Sequence, residues 1–113
     1  MSKDKESLIN QMNEYAMLLK PTREKSESGQ YVETYSDYKK ILAKIERNSS
    51  GEDEDGKRLD LSEVLTFTCF NYSGVDATYR VLYEGVEYGL LENPELFNYR
   101  IFMKFSAAKV FVQ

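Results

Sequence analysis

The run from Leu65 to Leu91, LTFTCFNYSGVDATYRVLYEGVEYGLL, constrains this chain more than any other stretch. Its first part is rich in Thr, Phe, Cys and Tyr, residue types that suit a pleated surface. Side chains alternate along a strand, so Leu65, Phe67 and Cys69 share one face and Thr66, Thr68, Phe70 and Tyr72 the other. The second face turns apolar towards Phe70 and Tyr72, which predicts burial on both sides at that end. Asn71-Tyr72-Ser73-Gly74 breaks the alternation as a turn cluster does. Arg80 to Tyr83 reads as a second strand. Tyr83-Glu84-Gly85-Val86 reads as a tight hairpin turn in which Gly85 supplies a positive φ, and Val86, Tyr88 and Leu90 alternate on the returning strand.

The rest of the chain continues the extended pattern. Residues 3–14 place Leu8, Ile9 and Met12 on one helical face, a short N-terminal helix or arm that needs something to dock on. Tyr15 to Lys20 is the first strand. Pro21 cannot donate to a ladder, so that strand either stops there or lies at an edge. Ser28-Gly29-Gln30 makes a turn into Tyr31–Tyr35, where Tyr31, Glu33 and Tyr35 face one way. Ser36-Asp37 is a bulge or kink, and Lys40–Arg47 continues as strand with Ile41, Ala43 and Ile45 on one face. Ile41, Leu42 and Ile45 fit a helical stripe as well, so helix is the competing reading there. Glu92-Asn93-Pro94-Glu95 is a loop, Tyr99 to Ala107 the last strand, and residues 108–113 an apolar tail.

A chain of 113 residues with 42% apolar content is one domain with a modest core. No run approaches the length of a membrane span, and the charged N-terminus lacks the apolar core of a secretory signal. There is no histidine, and Cys69 is the sole cysteine, set in an apolar strand as a small buried hydrophobe. That removes Ser-His-Asp and Cys-His chemistry and the commonest zinc ligands. No glycine-rich phosphate loop is present. The composition thus argues against an enzyme, and no metal or cofactor is expected.

Residues 48–63, NSSGEDEDGKRLDLSE, carry six acids (Glu52, Asp53, Glu54, Asp55, Asp60 and Glu63) against Lys57 and Arg58. The net charge of this segment, −4, equals that of the whole chain. Such a composition reads as a long solvated loop, and loops of this length are either functional or plain surface.

The order of motifs resembles the bacteriophage head–tail joining family, the head-closure and head–tail adaptor proteins. The resemblance lies in Tyr72-Ser73-Gly74-Val75-Asp76, then Arg80-Val81-Leu82-Tyr83-Glu84-Gly85-Val86-Glu87-Tyr88. Upstream, Glu33-Thr34-Tyr35 is followed by Ala43-Lys44-Ile45-Glu46, and the similarity spans roughly residues 15–107. Its motif residues here are Tyr72, Gly74, Asp76, Arg80, Val81, Tyr83, Gly85 and Tyr88. The resemblance implies a mainly β fold, a small barrel or sandwich of about six antiparallel strands over residues 15–107. It also implies a structural protein of the virion neck, assembled in the bacterial host cytoplasm.

Such a protein joins portal or connector proteins to tail-completion or tail proteins, as a twelvefold ring when assembled, some members being monomers before, with no membrane. In that family the long loop points into the channel. Glu52, Asp53, Glu54, Asp55, Lys57, Arg58 and Asp60 would then line a passage for double-stranded DNA, and their net acidity would repel the backbone rather than bind it. Leu8, Ile9, Met12, Tyr31, Tyr35 and Phe97 are the candidate subunit contacts. Two alternatives stay open. A nucleic-acid-binding barrel has the aromatics but not the charge, with a sequence pI of about 4.9. An acidic inhibitor that mimics DNA would need its acids spread over a surface.

Overall fold

The computed structural model describes residues 8–48 and 59–110. Seven strands form one antiparallel sheet: β1 (Glu14–Lys25), β2 (Tyr31–Asn48), β3 (Leu59–Phe70), β4 (Arg80–Tyr83), β5 (Val86–Leu90), β6 (Glu95–Phe97) and β7 (Phe102–Val110). Their order is β3-β2-β1-β4-β5-β7-β6, and β3 pairs with β7 as well. Six strands therefore close into a ring-like sheet. β6 adds to the same edge of β7 that β5 uses further along, at residues 102–104 rather than 107–109. Closure removes most free edges.

The interior follows from alternation. Leu18, Ile41, Ala43, Leu65, Phe67, Cys69, Val81, Phe105 and Ala107 are all within 1% of complete burial. Phe67 lies at the centre: it stacks on Phe105 at 5.1 Å and meets Tyr83 and Tyr88 edge-on at 6.3 and 6.5 Å. Edge-on and offset aromatic pairs satisfy the ring quadrupoles.

The β4–β5 hairpin stands where the sequence puts it. Glu84 and Gly85 both have positive φ (51° and 80°), the mirror-image turn that matches strand twist. The strand reading of Lys40–Arg47 also holds, with Ile41 and Ala43 buried and Ile45 packed against the core.

Elsewhere the structure corrects the reading. The helix of residues 3–14 is one turn at 8–11 among the described residues. Of the two readings of Pro21 the edge position holds, and β1 extends past Lys20 to Lys25, because β4 covers only Met17–Leu19 and Pro21 faces β2 alone. The bulge lies at Tyr38, not at Ser36-Asp37: Leu18 faces Lys39, Leu19 faces Asp37, and Tyr38 is the extra residue.

β3 begins at Leu59, so the connection assigned to residues 48–63 shortens to 49–58. Leu59 and Asp60 find ladder partners in Val110 and Lys109, which the sequence does not place beside them. Val110 accordingly belongs to β7 and not to a tail. Burial on both faces of β3 falls at Thr66 and Thr68, at 7% and 4% exposure, whereas Phe70 is 38% exposed. β3 is flanked by β2 and β7 on both edges there, and Thr66 Oγ1 meets Ser106 Oγ.

β6 was not expected, and β7 starts at Phe102. Asn98, Tyr99 and Arg100 instead form a left-handed turn with φ of 51°, 57° and 64°. The Asn71 side chain donates to the Arg100 carbonyl and its backbone N–H to that of Ile101, which fastens this turn to the end of β3.

Candidate assembly surface

The eight motif residues shape turns or make contacts within this chain's own fold. Gly74 turns the chain at φ 90° with open space where a Cβ would sit, so backbone conformation and not crowding requires glycine. Asp76 accepts from the Thr78 hydroxyl and from the Thr78 N–H, a local turn that lowers its carboxyl below the ordinary range. Val81 is fully buried. The Tyr83 hydroxyl donates to Glu14, tying the hairpin to the start of β1. That bond, then burial, pushes its phenol up. Tyr88 is buried, its hydroxyl donating to Glu63 at 3.4 Å, and its phenol is raised by burial first and by Glu63 second. Tyr72 packs against the core with Lys39 over its ring at 5.3 Å. Arg80 pairs with Glu87 at 3.3 Å and covers the Tyr35 ring at 4.1 Å.

Of the acidic segment, Glu52, Asp53, Glu54, Asp55, Lys57 and Arg58 lie outside the described residues. Asp60 is a β3 residue opposite Lys109 in the register. Glu63 is not a loop acid: it sits in β3, pairs with Arg47 at 2.6 Å and accepts from Tyr88. Asn48 and Leu59, where the 49–58 connection is rooted, lie at the end of β2 and β3 far from the Gly29 turn.

The candidate contact residues separate clearly. Met12 is buried within this chain's own fold, Leu8 is half-buried and Ile9 is 39% exposed. Phe97 stacks on Phe102, which in turn stacks on Phe70, and the neighbouring Leu96 and Tyr99 are exposed, Tyr99 completely. Tyr31 is exposed and Tyr35 half-buried.

Tyr31 and Tyr35 belong to a feature that sequence reading missed. Beyond Leu19 and Asp37, β1 and β2 continue as a two-stranded arm that leaves the closed sheet, and the molecule measures 56 Å along its long axis against 28 and 24 Å across. Cross-strand side chains line this arm. On one face Arg23 lies over Tyr31 at 5.6 Å, Tyr35 donates to Glu33 at 3.1 Å, and Arg80 closes the row over Tyr35. On the other, the Thr22 and Thr34 hydroxyls meet at 2.7 Å. Lys20 over Tyr38 and Lys40 over Tyr15 continue the pattern towards the closed sheet. The Tyr35–Glu33 bond joins alternate residues of β2, whereas the cross-strand pairs are set by register, so only the turn at Ser28-Gly29-Gln30 could have signalled those. They gather cations along β1 and β2, but each lies on a tyrosine of this chain, which leaves those rings already occupied.

Cys69 is buried and its thiol is pushed up to about 12 by that burial, which keeps it protonated and inert. Among the described residues no cluster of acidic or sulfur ligands is placed to hold a metal, and no helix is long and apolar enough to cross a membrane. A groove of about 430 Å³ beside the β4–β5 hairpin, lined by Arg80, Leu82, Val86, Glu87, Lys109 and Val110, opens to solvent.

The profile of the phage head completion proteins matches residues 8–109, from the helical turn to the end of β7. The chain belongs to that family. This bears out the resemblance carried by the motifs, and it makes the chain a phage structural head protein. Two solved structures share the fold of this head completion protein. One is a protein of Shigella flexneri 2a solved in solution, with TM-score 0.66 at 15% identity, covering 89% of this chain and 95% of that one. The other is a chain of a native gene transfer agent virion, with TM-score 0.63 at 12% identity, covering 88% and 96%. No curated protein sequence matches.

Proposed function

We propose that this head completion protein is a non-enzymatic component of the head–tail connector, added between portal or connector proteins and the tail. The observation that carries the reading is the match of nearly the whole chain to the head completion family. The structure is consistent with it, because the motif residues are spent on holding the sheet and what remains exposed is surface for assembly. A virion chain with the same fold adds support.

In this reading copies form a ring, twelvefold when complete, with residues 49–58 directed to the channel. Four acids against two bases in that segment, repeated around a ring, repel phosphate and let double-stranded DNA pass without binding. The arm, Ile9 and the Leu96–Tyr99 end are surfaces for neighbours. The protein acts in the virion neck after assembly in the host cytoplasm.

Negative-stain microscopy of the protein mixed with portal–connector particles tests the reading. Rings added to the distal face of the connector are expected. Failure to add, with saturable binding to single-stranded DNA instead, would return the function to nucleic-acid binding. Deleting residues 51–57 separates the loop's role: particles that assemble but lose DNA are expected, and unchanged DNA retention removes the channel assignment.

A further inference from the structure

The outer edge of β2 between the Gly29 turn and the Tyr38 bulge has no strand beside it among the described residues. β1 lies on one side, and β3 begins to pair only at Ala43. The two edges of the arm differ. The β1 edge carries Pro21, which has no N–H, with Lys20, Arg23 and Lys25 around it. Proline and cations are the devices that keep strands from adding to an edge. The β2 edge, Tyr31-Val32-Glu33-Thr34-Tyr35-Ser36-Asp37, has neither proline nor lysine and is built from Tyr, Val and Thr.

Thr22 Oγ1 donates to the Thr34 carbonyl at 3.4 Å, so that carbonyl points towards β1. Alternation then turns the N–H and C=O groups of Tyr31, Glu33 and Tyr35 to the open edge. Pro21, opposite Tyr35, correspondingly turns its nitrogen away from β2.

We infer that this open edge pairs antiparallel with the same edge of a second copy, Thr34 opposite Thr34. The segment between turn and bulge is centred on Thr34, so full overlap sets Tyr31 against Asp37, Val32 against Ser36 and Glu33 against Tyr35. No like charges stand directly opposite, and a Thr–Thr pair is favourable across strands. Centring on Glu33 would set Glu33 against Glu33. Centring on Tyr35 would set Glu33 against Asp37 twice. The pairing is two-fold and self-complementary, which does not by itself generate a cyclic ring. It is therefore a state of the chain outside a ring, one that covers an aggregation-prone edge, and it stands independently of the neck reading.

Sedimentation equilibrium of the purified chain, up to ~1 mM protein, is expected to show a monomer–dimer equilibrium. Thr34→Cys reports the register. Facing residues of a non-hydrogen-bonded pair have Cα atoms about 4.5 Å apart, within disulfide reach, and buried Cys69 does not compete. Under mild oxidation Thr34→Cys should give covalent dimer at least roughly tenfold faster than Glu33→Cys.

Tyr35→Glu sets a carboxylate against Glu33 at two places and should weaken the dimer by roughly tenfold. Adding Glu33→Lys to the same chain should restore it, a rescue that a merely folding defect would not show. A chain that stays monomeric throughout, a species larger than a dimer, equal cross-linking at both positions, or no rescue overturns the inference.

Discussion

β1 and β2 are held in one way near the closed sheet and in another along the arm. Near the sheet, Ala16, Leu18, Ile41 and Ala43 press into the core and β4 or β3 supplies a second ladder. Along the arm both faces meet solvent, and order rests on one ladder with a Thr–Thr hydroxyl pair, a Tyr–Glu bond and cations over tyrosine rings. A lone hairpin is marginal in water. The arm is thus an extension that borrows its register from strands already fixed by burial, and its stability depends on the sheet without the reverse being true.

The sharpest way to break that comparison is Phe67→Ala, which empties the centre of the core. It should cost about 3–5 kcal/mol in urea unfolding, and arm amides should lose hydrogen-exchange protection together with those of the sheet. Arm protection surviving core loss would make the arm independent.

Next comes Tyr83→Phe, which removes the bond to Glu14 and should cost about 1–2 kcal/mol. The Tyr83 phenol is raised above its ordinary 10.0, so the stability it contributes is complete below pH 10 and is lost as pH rises towards the folded value. Tyr35, Tyr72, Tyr79 and Tyr88 are shifted the same way. Wild-type stability should therefore fall above about pH 10, and Tyr83→Phe should fall less steeply. A smaller effect is expected for Gly85→Ala, about 1 kcal/mol from forcing a side chain into positive φ where nothing else crowds it. The smallest global effect belongs to Arg80→Ala, about 0.5–1 kcal/mol, with faster exchange at Tyr31–Tyr35 and an unchanged midpoint for the core strands.

Local signals carried much of the fold. The β4–β5 hairpin was legible because its turn, its glycine and its alternation are adjacent in sequence. Ile41, Ala43, Leu65, Phe67 and Cys69 were legible because period-two burial needs no knowledge of the partner. What depends on distant pairing was not. Leu59 becomes strand because Val110 lies beside it, the extra residue at Tyr38 emerges only when β1 is laid against β2, and the left-handed turn at Asn98–Arg100 contains no glycine to announce it. The family motifs were readable for a related reason. They mark where the chain must turn or clamp, so they report the scaffold, while the arm's Arg23, Tyr31 and Tyr35 become a surface only through register.

β7 pairs with β3, β5 and β6, and it follows all three in the chain. Until it leaves the ribosome, β3 and β5 each lack a neighbour and Phe67 has no Phe105 to stack on. Closure of the sheet is thereby postponed until β7 has emerged, since contacts far apart in sequence form late. A product truncated before residue 102 lacks the strand that closes the sheet. The topology thus makes one strand the common condition for closing the sheet on both sides of β7.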